Sequence, residues 1–236
     1  MGKFTVIPQD TFEALQIDAG VLLKTFDPAN PAAPSDSDII TATTGGIKPS
    51  CVPTYSDFGA DVDNCPDDAM ELKHLDSWEA SIAFTALNTD AETIKLSLGA
   101  ADVTESTTYT LTSDTAIVSG KTYYTRSGTS PNYSYTAVTT PSSASLSTYY
   151  EIVNPAGTVT PRRNLSQSDF QTIWWVGDRT DGGAVAIKMM NALSTGGFGF
   201  QTTKNGKGQL SCTLTGHVSI NAQNIVPMVF YTIDPD

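Results

Sequence analysis

The chain has 236 residues, enough for one large or two small domains with a sizeable core. Its 25 acidic against 13 basic residues give a formal net charge of −12, which excludes a protein that holds nucleic acid by neutralising phosphates with Lys and Arg. No apolar run approaches the ~20 residues that span a bilayer, and Met1-Gly2-Lys3-Phe4-Thr5-Val6 lacks the apolar core of about 7–15 residues that a signal peptide carries. Synthesis and use without export is the expectation.

Residues 13–26 alternate Leu15, Ile17, Ala19, Val21 and Leu23 against Gln16, Asp18, Gly20, Leu22 and Lys24, which predicts a first strand. Residues 27–38 are rich in Pro, Ala and Asp and read as a loop. Residues 39–43 resume β character, and Gly45-Gly46 is expected to turn the chain. From 51 to 71 come Pro, Gly and the acids Asp57, Asp61, Asp63, Asp67, Asp68 and Glu71. A calcium loop would need alternating ligands, a mid-loop Gly and a terminal Glu; a solvated acidic loop fits better. Cys51, Cys65 and Cys212 form an odd set without a CxxC pair. That argues against a zinc site, and a cytosolic fold argues against a Cys51–Cys65 disulfide.

Residues 72–87 predict a second long strand. Leu72, Trp78, Ile82 and Phe84 lie on one side of it, and Glu71, Lys73, Ser77, Glu79, Ser81 and Thr85 on the other. Residues 90–98 predict a single helix, with Thr89-x-x-Glu92 as a capping box, Ile94 and Leu98 one turn apart, and Gly99 as the stop. Composition then breaks. Residues 104–157 hold seven of the nine tyrosines but only five charged residues. Aromatic content of that kind is unlike disorder, so residues 104–158 are expected to form a small β-module inserted in an exposed loop. Its tyrosines suit internal packing or, less favourably, a ligand platform.

From 170 to 231 the pattern is three hairpin-like strand pairs. Leu210, Cys212, Leu214, Gly216, Val218 and Ile220 alternate with Gln209, Ser211, Thr213, Thr215, His217 and Ser219. That predicts a half-buried strand about twice the usual length, suggesting a sheet that continues beyond one subunit. Cys212, on its apolar side, reads as a small hydrophobe. No catalytic constellation emerges. The two histidines, His74 and His217, fall on separate strands, and no GxSxG, HExxH, P-loop or dinucleotide fingerprint is present. Glu71 and Glu79 are about 26 Å apart on an extended strand, too far for a glycosidase pair. Arg162-Arg163 is a basic spot, expected to meet a neighbouring subunit's acidic loop. The sequence therefore reads as a non-enzyme that needs no cofactor and no metal.

Five words occur in order: Trp174-Trp175-Val176-Gly177-Asp178-Arg179; Asp181-Gly182-Gly183-Ala184-Val185-Ala186-Ile187-Lys188; Asn191-Ala192-Leu193-Ser194-Thr195-Gly196-Gly197-Phe198; Lys207-Gly208-Gln209-Leu210-Ser211-Cys212-Thr213-Leu214-Thr215-Gly216-His217; and Val226-Pro227-Met228-Val229-Phe230-Tyr231. This series resembles the C-terminal half of the major tail tube proteins of long, non-contractile-tailed bacteriophages. The resemblance extends less densely to Gly20-Val21-Leu22-Leu23 and Thr44-Gly45-Gly46-Ile47 and leaves out residues 104–158. It implies a mainly β (α+β) fold: a β-sandwich or barrel core with one flanking helix, formed by residues 1–103 and 159–236, with the inserted module on the outer surface. It also implies hexameric rings stacked into a hollow tube, each subunit contributing four strands to one continuous barrel. The implied partners are copies of the chain itself, tape measure, terminator and distal tail proteins, and double-stranded DNA in transit, with no membrane. The implied location is the virion tail, assembled in the host bacterial cytoplasm.

On that reading the polar strand faces are candidates to line the lumen: Glu71, Ser77, Glu79, Ser81, Thr85, Ser211, Thr213 and Thr215. An acidic or neutral wall would let DNA slide, whereas lysines would hold it. The same tube in a phage-derived toxin particle is equally compatible with the sequence. From a different class, the alternative is a carbohydrate-binding or adhesive β-module acting through the tyrosine-rich insert.

Overall fold

A computed structural model describes residues 7–12 and 15–235. Strands dominate it: β1 (Val21–Leu23), β2 (Thr43–Asp57), β3 (Lys73–Ala86), β4 (Ala101–Leu111), β5 (Tyr124–Thr129), β6 (Asn132–Ala137), β7 (Tyr150–Pro161), β8 (Gln171–Asp178), β9 (Ala184–Ser194), β10 (Gly199–Gln201), β11 (Gln209–Gly216) and β12 (Met228–Ile233). One α-helix, α1 (Ala91–Leu98), joins β3 to β4. The chain divides into two compact units, Met1–Ala101 with Pro161–Asp236, and Asp102–Thr160.

The first unit is built on an 8-stranded sheet in the order β1-β8-β9-β11-β3-β2, with β10 added to β11 and β12 to β9. Strand β9 is the pivot. Its N-terminal part pairs with β12 and β8, while Ala192, Leu193 and Ser194 pair with Gly216, Thr215 and Leu214 of β11. Both parts of the sheet feed one core. Ala80, Ile82, Phe84 and Ala86 of β3 and Leu210, Cys212 and Leu214 of β11 pack with Leu22, Ile173, Trp175, Ile187 and Met189. Two β-layers sharing one apolar interior make this core a β-sandwich. Strand β8 also buries its other side, where Trp174 joins Leu23 and Ala186.

Several local expectations need correction. The first strand is confined to Val21–Leu23, and residues 13 and 14 of the expected one lie outside the described residues. Before Val21 the backbone leaves strand geometry at Asp18 (φ 59°) and Gly20 (φ 70°). A Cβ on Gly20 would lie 2.6 Å from both Trp175 Nε1 and the Val176 carbonyl, so only glycine fits there. Gly45-Gly46 does not turn the chain. The pairing steps from Thr44↔Thr85 to Ile47↔Phe84, leaving both glycines in a bulge at φ 76° and 85°. Strand β2 then continues through the supposed start of the acidic loop, to Asp57 opposite Lys73. Pro49 and Pro53 had masked it; they are tolerated because β2 is an edge strand. Strand β11 ends at Gly216 after 8 residues. His217 N–H donates to the Asn191 carbonyl at 3.1 Å, and Val218 and Ile220 are exposed. Strand length alone therefore no longer argues for a sheet extending beyond the subunit.

Helix α1 is capped by Asp90, whose carboxylate accepts Thr93 N–H at 2.8 Å, rather than by Thr89. Its buried stripe is Thr93 and Ser97, with Ile94 and Leu98 only half-buried. Small side chains let the helix close on β9, where Ser194 Oγ donates to the Ser97 carbonyl at 2.6 Å. Gly99 ends the helix at φ 77°.

The second unit is a 4-stranded sheet in the order β4-β7-β5-β6, bounded at Asp102 and Thr160 where the sequence suggested 104 and 158. Tyr123, Leu146 and Tyr149 form its own small core. Tyr123 Oη donates to Asp114 at 2.7 Å, and Lys121 is paired with both Asp114 and Glu151. The Lys121 ammonium, followed by the Tyr123 hydroxyl, holds the Asp114 carboxyl below the usual carboxylate range. The residues flanking this unit meet: Arg162 N–H donates to the Ala100 carbonyl at 2.9 Å. A short Gly-Ser linker in place of residues 102–160 should therefore span the junction, and the remaining chain should give a single cooperative thermal transition. Recovery only as insoluble protein would show that the first unit depends on the second.

Candidate assembly face

In the first unit, β10, β11, β3 and β2 are hydrogen-bonded in that order. Directly paired residues share a face, so the side chains opposite the core form rows. Ser211, Thr85 and Thr44 make one row, Thr213, Ala83 and Lys48 the next, and Thr215, Ser81 and Ser50 a third. Farther along the hairpin, Glu79 faces Val52 and Ser77 faces Thr54. Thr195 extends this surface, its hydroxyl 2.7 Å from that of Thr215. On the reverse side Leu210, Cys212 and Leu214 lie against Ala86, Phe84 and Ile82 inside the core. Burial pushes the Cys212 thiol up to about 11 and also raises Cys51. All three cysteines are free thiols.

Ser77, Glu79, Ser81, Thr85, Ser211, Thr213 and Thr215 thus come together on one face. Glu71 does not, because it belongs to the 3-10 turn Met70–Leu72 that precedes β3. Sequence reasoning missed the β2 contribution of Thr44, Lys48, Ser50 and Thr54. The signal was the alternation of Lys48, Ser50, Val52 and Thr54 with Ile47, Pro49, Cys51 and Pro53, obscured by two prolines. Lys48 is exposed and Glu79 lies on the same face, so the surface is mixed in charge rather than acidic or neutral.

Burial along β3 alternates from Ala80 to Ala86 but is absent from Lys73 to Glu79. The distal half of the β2–β3 hairpin therefore projects beyond the core. Val52, Tyr55, Leu75 and Trp78 are exposed on it, as are Phe58, Val62 and Met70 in the connecting loop. Trp78, expected in the core, is 37% exposed for this reason. The projection is ordered from within. Asp57 accepts the N–H groups of Gly59 at 2.9 Å and Asp68 at 3.2 Å, and Lys73 bridges both carboxylates. Those bonds, the Gly59 N–H foremost, hold the Asp57 carboxyl below its usual range.

Other candidate positions make contacts within the chain, although His217 Nε2 is buried without a hydrogen-bond partner. Arg162 pairs with the buried Asp169 at 2.5 Å, and that carboxylate also accepts Ser166 N–H at 2.7 Å, while Arg163 is exposed. His74 lies on β3 against Phe58, and His217 packs edge-on against Phe170 at 5.5 Å. Among the described residues no group of three or more His, Cys, Asp or Glu is placed to hold a metal ion, and no helix is long and apolar enough to cross a membrane. Comparison with known protein families finds no family model that matches the chain, and no curated protein matches it.

Proposed function

We propose that this chain is the subunit of a hollow protein tube, one whose copies close into hexameric rings that stack as a conduit for double-stranded DNA, in the manner of phage tail tube proteins. The observation that supports this reading best is the layer β10-β11-β3-β2. One face of β11, β3 and the start of β2 belongs to the core, the other carries mostly polar, half-exposed side chains, and the outer strands, the three-residue β10 and the long β2, have no further strand partner among the described residues. A long open edge is a template for pairing with another chain. Joining β2 of one copy to β10 of the next continues the sheet, and ring closure removes the edges altogether. A barrel of that size leaves an aqueous channel, and the polar rows of Ser, Thr, Lys48 and Glu79 become its wall. The projecting hairpin supplies exposed apolar and acidic surface for the adjacent ring. Other tail proteins would cap and measure such a tube.

The conduit wall is testable at Glu79. In the ring, Glu79→Lys adds positive charge to Lys48 on a face turned to polyanionic DNA. Assembly should persist, because a charge in a water-filled channel costs little. DNA release should slow, most at about 0.01 M salt, where screening extends to roughly 30 Å instead of about 8 Å. An unchanged release rate in low salt would show that this face is not the wall.

A further inference from the structure

The second unit carries an aromatic surface that tube formation does not use. Strand pairing puts Tyr124, Arg126 and Gly128 of β5 on the same face as Ala137, Tyr135 and Tyr133 of β6, with Tyr150 of β7 opposite Tyr124. Tyr109 of β4 completes it, stacked on Tyr135 at 3.9 Å between ring centroids and 4° between planes, and edge-on to Tyr124 at 5.1 Å. Tyr135 in turn meets Tyr150 edge-on at 5.3 Å. The reverse face is different: Thr125, Ser127, Ser134 and Thr136 are all small and polar. The unit's buried core, Tyr123 with Leu146 and Tyr149, uses none of the Tyr109–Tyr135 stack.

Arg126 gives this surface its chemistry. Its guanidinium carbon sits 4.4 Å from the Tyr133 ring centroid and 4.8 Å from that of Tyr150. Two rings hold the cation by cation–π attraction, the buried Tyr150 from beneath and Tyr133 at the surface, while Arg126 itself stays exposed. Lys121, the other cation of the unit, is neutralised by Asp114 and Glu151. Arg126 has no ion-pair partner among the described residues. In a chain of net charge −12, this is a local positive fork set in an aromatic floor.

We infer that the Tyr133–Arg126–Tyr150 face is a binding site for an acidic polysaccharide. A pyranose ring has an apolar C–H face that lies flat on an exposed aromatic ring, and Tyr133 is 39% exposed. A uronate carboxylate supplies the planar acceptor pair that matches a guanidinium fork. The tyrosine hydroxyls around the fork offer donors and acceptors to sugar hydroxyls. A chain-like ligand suits the geometry because the aromatic floor runs across β4, β7, β5 and β6 instead of closing into a pocket.

The test is calorimetric titration of the full chain with oligogalacturonate, alongside the methyl-esterified oligomer and an oligothymidylate. Binding to the acid form is expected, falling about tenfold or more with the ester, with Arg126→Gln and with Arg126→Lys, since the ester removes the charge and lysine removes the fork. Tyr133→Ala should weaken binding as well, whereas Tyr133→Phe should retain most of it. Added salt should weaken it further. Absence of binding at millimolar oligosaccharide, equal binding of the ester, equal binding by a folded Arg126→Lys chain, or tighter binding of oligothymidylate would each overturn the assignment.

Discussion

Deleting residues 58–68 is expected to leave a folded chain that no longer assembles. Asp57 still pairs with Lys73 after the deletion, and residues 69–72 remain to close the hairpin. The salt bridge between Lys73 and Asp57 at 3.4 Å survives, although Asp57 loses the N–H groups of Gly59 and Asp68. The lost segment contributes nothing to the main core cluster, so thermal unfolding should stay within a few degrees of the intact chain. Assembly is another matter. The segment takes away exposed Phe58 and Val62 together with Asp61, Asp63, Asp67 and Asp68. A connection this long, with exposed apolar residues, is uncommon in a compact domain that has no use for it. Sedimentation should find monomers or isolated rings at concentrations where the intact chain polymerises. Tubes of normal length from the deleted chain would contradict this.

Ile82→Ala is expected to destabilise the first unit by about 2–5 kcal/mol, a loss of roughly 10 °C in Tm. Ile82 is fully buried at the centre of β3, between Leu214 of β11 and Pro49 of β2. Its truncation opens a cavity in the middle of a layer that cannot collapse without moving both neighbours. Ser81→Ala, one residue away on the polar face, should change stability by no more than about 0.5 kcal/mol. Thermal unfolding of the two variants side by side checks the alternation directly. Equal effects would mean that the two faces of β3 are not distinguished as the burial pattern indicates.

The alternation of β3 and β11 was readable in the sequence because one face of each is packed against a core, and burial imposes a period of two. It stopped being readable where other forces decide. Ser166 and Asp169 tie down Arg162 through a local turn, a contact that no residue spacing announces. The sequence of β2 signals turn and loop, because Gly45-Gly46, Pro49 and Pro53 each mark a break; an edge strand with a bulge tolerates all of them. Trp78 fits the apolar stripe, yet the hairpin carries it past the end of the core. Helix α1 lies where its start and stop signals indicate, but close approach to β9 makes Thr93 and Ser97 its buried side. The inserted unit was visible as a change in composition. The tyrosine face of that unit was not, since it depends on the pairing of β5 with β6 and β7 rather than on any run of residues.

The most direct measurement is negative-stain imaging of the purified full chain, concentrated stepwise and held at each concentration. Hollow tubes of uniform diameter, built from six-fold rings with a stain-filled channel, are the expected result. Particles that remain single subunits at every concentration, or solid filaments without a channel, would contradict the tube.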